Sequence, residues 1–156
     1  MADDIWTEQV TAQTLAAVRI NVALPNVAKS FRGPLDKVWN FMRQQEGLHV
    51  RGGLNTFIYR CDEQNNPNGE VPIDFGVQVT RPFAQEGDVI CVTTPSGLAA
   101  CMIHRGPYHR LGETHATVQA WCAADGHVVA GVNWEVYGNW NDDPAKLETR
   151  VCYLLK

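Results

Sequence analysis

Apolar residues recur along this chain with two periods, and the switches between them divide it into strands and helices. A run at 15–24 reads as a strand. After Gly33-Pro34, Leu35, Val38, Trp39 and Met42 fall at i, i+3, i+4 and i+7, one face of a helix. Pro34 suits the first turn, where a missing N–H costs nothing, and Gly47 supplies a stop. A strand is predicted at 54–61, then a loop dense in turn formers from Asp62 to Gly69. Alternation of Ile73, Phe75, Val77 and Val79 marks the next strand, and 88–94 either completes this unit or edges the sheet. The order then repeats. A strand at 98–104, Gly106-Pro107, and a helix near 110–124 with Leu111, Val118, Trp121 and Cys122 on one face are followed by strands at 128–138 and 147–155. Residues 1–12 read as a loosely attached arm from which Trp6 docks.

The repetition extends to the residues themselves. HVRGGLNTFIYR at 49–60 matches HVVAGVNWEVYG at 127–138, an offset of 78. Upstream, LAAVRI at 15–20 matches LAACMI at 98–103, an offset of 83, and a Gly-Pro lies between the two matches in each half. Three blocks in one order predict a duplicated unit, repeat one at about 13–85 and repeat two at about 88–156. The expected fold is α+β. Two β-α-β-β units related by a pseudo-twofold form a largely antiparallel sheet, with two helices on one face and a ligand cleft on the other.

Successive strand residues point to opposite faces, so the two matching strands each split into two sets. Leu54, Thr56 and Ile58 go with Val132, Trp134 and Val136; these more apolar residues are expected beneath the helices. Asn55, Phe57 and Tyr59 go with Asn133, Glu135 and Tyr137 on the face expected to be open. Glu135 stands where the first copy has Phe57, so the strand itself does not demand a carboxylate there. Buried among aromatic rings it would be costly unless it met a cation, with the π faces adding attraction. Alternatively it sits on an open surface and pairs with Arg60 or Arg150.

Composition narrows the function classes. The 156 residues are 45% hydrophobic and 19% charged with a net charge of −4, a globular balance, and the 13 Lys and Arg are scattered. Without a basic cluster there is no footprint for direct nucleic-acid binding. No apolar run is long enough to span a membrane, and the acidic start carries no secretory signal. Five widely spaced cysteines without a CxxC pair predict reduced thiols in a cytoplasmic protein. His104, His109 and His115 lack the spacing of a metal site, and neither a metal nor a cofactor is expected.

Residues 104–155 carry a more specific pattern: His104-Arg105-Gly106-Pro107-Tyr108, a helix with Trp121 near its end, Trp134-Glu135-Val136-Tyr137, Pro144, and Thr149-Arg150-Val151-Cys152-Tyr153. This resembles the GyrI-like family of small-molecule-binding domains, known also as effector-binding domains of AraC- and MerR-type transcription regulators. The resemblance continues more loosely through Phe57-Ile58-Tyr59 and Ile73-Asp74-Phe75-Gly76-Val77, and so covers nearly the whole chain as a single domain, 1–156. It implies a tandem repeat with a ligand cleft at the pseudo-twofold. In that cleft Glu135 would match the family's glutamate, which meets lipophilic cations in multidrug-binding members, and Tyr59, Tyr108 and Tyr137 would line it. Phe57 completes the expected aromatic wall and Phe75 is a further contact. With no room for a helix-turn-helix before residue 15, a stand-alone domain is expected, and transcriptional control would need a separate protein partner.

The leading expectation is therefore reversible binding of a hydrophobic, aromatic and cationic small molecule, for sequestration or sensing. Two alternatives stay open. Some GyrI-like proteins are hydrolases that open cyclopropane rings in genotoxic natural products; Glu135 would then be catalytic, as a general base. The family's gyrase-inhibitory namesake implies instead a module that modulates another protein.

Overall fold

Alternation and helical period become the elements in the order expected, with one strand added at the start. The computed structural model describes residues 4–50, 52–63 and 69–156. The strands are Ile5–Val10 (β1), Thr14–Ala23 (β2), Asn55–Arg60 (β3), Glu70–Gln78 (β4), Ile90–Thr93 (β5), Gly97–Arg105 (β6), Val129–Tyr137 (β7) and Glu148–Leu155 (β8). The helices are Val27–Ser30 (α1), Arg32–Arg43 (α2) and Leu111–Ala124 (α3). Of the predicted loop from Asp62 to Gly69, residues 64–68 lie outside the described residues. The expected N-terminal arm is corrected: Ile5–Val10 is an edge strand, antiparallel to β6, with Ile5 opposite Met102 and Val10 opposite Gly97.

All eight strands form one antiparallel sheet in the order β1-β6-β8-β7-β3-β4-β2-β5. The α+β class and the tandem β-α-β-β arrangement are as the sequence indicated. The order is symmetric about the β7–β3 pair: β2, β3 and β4 on one side mirror β6, β7 and β8 on the other. In that central pair Phe57 lies opposite Glu135 and Tyr59 opposite Asn133. Phe57 and Glu135 are also equivalents in the 78-residue repeat, so the pseudo-twofold passes between these two residues.

The sheet is strongly curled, and chain connectivity requires it. β1 and β2 are six places apart in the sheet, about 29 Å if it were flat, yet residues 11–13 alone join them. Three linking residues reach about 14 Å at most, so the two ends of the sheet must approach each other. The β1–β2 and β5–β6 links then meet: Gln13 N–H donates to Thr94 Oγ1 at 2.8 Å and Thr94 N–H to the Gln13 carbonyl at 2.9 Å.

Curling gives the sheet two buried faces. On one, α2 lays Leu35, Val38, Phe41 and Met42 over Phe57, Tyr59, Ile73, Phe75 and Val77. On the same face α3 lays Leu111, Val118 and Cys122 over Ala100, Val151, Tyr153 and Leu155. The inside of the curl holds a third cluster, Leu15, Ile58, Ala99, Cys101, Val132, Trp134 and Cys152. This exchanges the two faces expected from the alternation. Ile58, Val132 and Trp134 fill the curl, whereas Phe57, Tyr59, Glu135 and Tyr137 lie on the helix side. The side chains expected to line the cleft therefore share the helix side of the sheet. The sets themselves were divided as expected, but apolar character cannot say which face a helix covers when both faces are buried.

Candidate functional site

The site forms where β3 and β7 run side by side, on the sheet face that α2 and α3 cover. Period-two alternation turns Phe57 and Tyr59 of β3 and Glu135 and Tyr137 of β7 to the helix side. From β8, Tyr153 joins them, lying opposite Asn133 across the β7–β8 pair. From α3 comes His115, one turn after Leu111 and one turn before Val118.

Glu135 is 3% exposed, and both its oxygens are occupied. The hydroxyls of Tyr59 and Tyr137 each donate to Oε1 at 2.7 Å. His115 Nε2 lies 2.7 Å from Oε2, and its Nδ1 lies 2.7 Å from the Tyr153 hydroxyl. A carboxylate can only accept, so the Nε2 of His115 carries the proton of that bond. Burial, and next the negative charge of Glu135, push the Tyr59 and Tyr137 hydroxyls well above the ordinary phenol range. They are thereby held as neutral donors.

Rings enclose this centre. Phe57 meets Phe75 edge-on with centroids 4.7 Å apart and Tyr137 at 4.8 Å. Tyr108 stands edge-on to Tyr137 at 5.3 Å, with the largely exposed Trp140 6.5 Å beyond it. Phe31, at the start of α2, reaches Phe57 at 5.9 Å. The chain of rings Trp140–Tyr108–Tyr137–Phe57 thus runs from solvent to the sheet centre.

The six residues expected at the site, Glu135, Tyr137, Tyr59, Phe57, Tyr108 and Phe75, are therefore gathered in one network. Phe75 is fully buried and stands behind Phe57. His115 and Tyr153 were missed, although each carried a signal: His115 interrupts an apolar helical stripe, and Tyr153 shares its strand face with Val151. Of the other histidines, His104 is buried, 2.7 Å from the Thr114 hydroxyl and 3.0 Å from the Pro107 carbonyl. Among the described residues no three side chains are grouped to hold a metal ion.

The surface alternative for Glu135 fails on geometry. Arg60 pairs with Asp74 at 2.8 Å and Arg150 with Glu8, both from positions that alternate to the inside of the curl. A cavity of about 390 Å³ also opens there, lined by Leu15, Trp134, Val136 and the Arg150–Glu8 pair, on the sheet face away from Glu135. Among the described residues His115 is the basic side chain that Glu135 meets.

Comparison with known proteins fixes the family. The family model of the GyrI-like small molecule binding domain matches residues 7–156. The chain belongs to the GyrI-like family. This GyrI-like domain is similar in fold to the EcmrR C-terminal domain, with a TM-score of 0.79 at 18% identity over 97% of this chain and 96% of that one. In EcmrR bound to DNA within EcmrR-RPo the TM-score is 0.80 at 17% identity; the domain covers 97% of its own length and spans 57% of that chain. It is similar also to SAV2435 solved bound to tetraphenylphosphonium, with a TM-score of 0.69 at 12% identity over 97% of this chain and 93% of that one. A hydrolase from Listeria innocua gives 0.58 at 12% identity, over 98% and 92%. No curated protein matches by sequence. None of the helices in the described residues is long and apolar enough to cross a membrane.

Proposed function

We propose that this GyrI-like domain binds a lipophilic, aromatic cation between α2 and α3, with Glu135 as its counter-charge. The observation that carries this reading is a carboxylate 3% exposed at the pseudo-twofold, ringed by aromatic side chains and met by no Lys or Arg among the described residues. Tyr59, Tyr137, Phe57 and Tyr108 form the walls, with Phe75 behind them. Each ring facing a desolvated cation adds roughly 0.5–2 kcal/mol, so three or four together contribute about 2–8 kcal/mol before the cost of association. The tetraphenylphosphonium held by SAV2435 supports this ligand class, and the likeness to EcmrR supports a role in sensing, through a DNA-binding partner or segment. Trp140 stands beside Tyr108 and makes its fluorescence a reporter. Titration with tetraphenylphosphonium is expected to saturate, and Glu135→Gln to weaken binding by about 10–100-fold. Equal affinity in the two proteins would remove the electrostatic part of the proposal.

One observation favours a second reading. Glu135, His115 and Tyr153 form a continuous chain of hydrogen bonds, the kind of relay that passes a proton during hydrolysis. Glu135 would act as general base toward water on a strained cyclopropyl ketone. Turnover of such a substrate, lost in Glu135→Ala with the fold retained, separates this reading from binding alone.

A further inference from the structure

His115 occupies the position at Glu135 that a ligand cation would need. Its Nε2 stands 2.7 Å from Oε2, while the two phenols share Oε1. Its side chain is 19% exposed against 4% for that of Glu135, so it lies on the solvent side of the carboxylate. The ring already makes the contacts expected of a bound aromatic cation, edge-on to Tyr59 at 6.4 Å and to Tyr153 at 5.6 Å. The ionisable groups around it are Glu135 and Tyr137 from β7, Tyr59 from β3 and Tyr153 from β8, with Cys61 and Cys122 acting on the Tyr153 end. The phenols are held neutral, which leaves the carboxylate as the charge that His115 faces.

We infer that His115 is a resident surrogate cation: its imidazolium neutralises Glu135 in the free domain, and an incoming cation takes its place. This rests on the proposal that Glu135 meets a cationic ligand, and it names what sets the selectivity of that site. The charge balance is closed. One ligand charge enters, and the Nδ1 proton of His115 leaves to solvent, so that Glu135 faces one positive charge before and after. A neutral ligand would have to leave the Glu135–His115 pair in place, and gains nothing from displacing it. Because binding releases a proton, affinity for a permanent cation rises with pH. The pH dependence alone does not assign the released proton to His115; substitution at His115 does.

The test compares tetraphenylphosphonium binding by the wild-type domain, His115→Gln and Glu135→Gln, using calorimetry in two buffers of different ionisation heat. Gln keeps an amide donor for Oε2 but carries no charge. His115→Gln is expected to bind tighter than wild type at mildly acidic pH, and to release no proton. The wild type is expected to release a fraction of one proton, and its affinity to approach that of His115→Gln as pH rises. Nitrogen-detected NMR should show the His115 ring charged in the free protein and neutral in the complex. Equal affinity and equal proton release in wild type and His115→Gln, with Glu135→Gln still weakened, would overturn the surrogate role and leave the cation site standing. Failure of the wild type and His115→Gln to bind tetraphenylphosphonium would overturn both.

Discussion

A buried carboxylate has to be held by donors, and here the donors are phenols whose own ionisation is suppressed by the charge they serve. Burial and Glu135 raise Tyr59, Tyr137 and Tyr153 alike, and burial alone raises Tyr108. These are all four tyrosines of the chain. A group whose folded value lies above its unfolded one contributes stability that is present below the unfolded value and lost as pH climbs toward the folded value. Free tyrosines ionise near pH 10. The melting temperature should therefore hold on the alkaline side up to about pH 10 and then fall. Phenolate absorbance should show Tyr108, the most exposed ring, first, and the remaining three only as the fold is lost. Four tyrosines titrating together near pH 10 in the folded protein would contradict the hydrogen-bonded centre.

At the scale of elements, β7 decides which side chains reach the site. Its pairing with β8 shifts between Val129 and Asn133, and Gly131 sits within that irregularity at a φ of 92°. A Cβ at Gly131 would lie 2.8 Å from the Cβ of Asp62 and adopt a backbone conformation that L residues rarely take. Gly131→Ala should cost about 1–3 kcal/mol by denaturant unfolding, and weaken tetraphenylphosphonium binding through displacement of Glu135. Gly112→Ala, in the first turn of α3 with open space around it, should leave stability equal or slightly higher. An equal loss in both would show that the irregularity in β7 is not what places the site. The same strand shows what a sequence can reveal. Alternation divided its side chains into the right two sets, and the match of Phe57 to Glu135 singled out the carboxylate. Which set faced the helices was hidden, because Trp134 and Val132 are as deeply buried inside the curl as Phe57 is beneath α2. The N-terminal strand was hidden for a related reason. Trp6-Thr7-Glu8-Gln9 is polar on an exposed edge, so only Ile5 and Val10 at its ends meet apolar clusters and the segment shows no apolar alternation.

Across the whole molecule, duplication explains both the architecture and the site. Each half receives its edge strand from the segment preceding the other half: β1 leads into β2 yet flanks β6, and β5 leads into β6 yet flanks β2. The halves are thereby locked together, and the axis between them falls on Phe57 and Glu135, where one copy has a ring and the other a carboxylate. A symmetric site would have placed two rings or two carboxylates face to face; the asymmetry leaves one negative charge within an aromatic enclosure. Charge selectivity is the consequence that tests this account most directly. Calorimetric titration should be run with tetraphenylphosphonium and with triphenylphosphine oxide, a neutral molecule of similar shape, on the wild-type domain and on Glu135→Gln. The wild type should prefer the cation by about 10–100-fold, and Glu135→Gln should bind the two ligands about equally. Equal affinity of the wild type for cation and neutral ligand would contradict the account, reducing Glu135 to a structural acid that only holds three strands and a helix together.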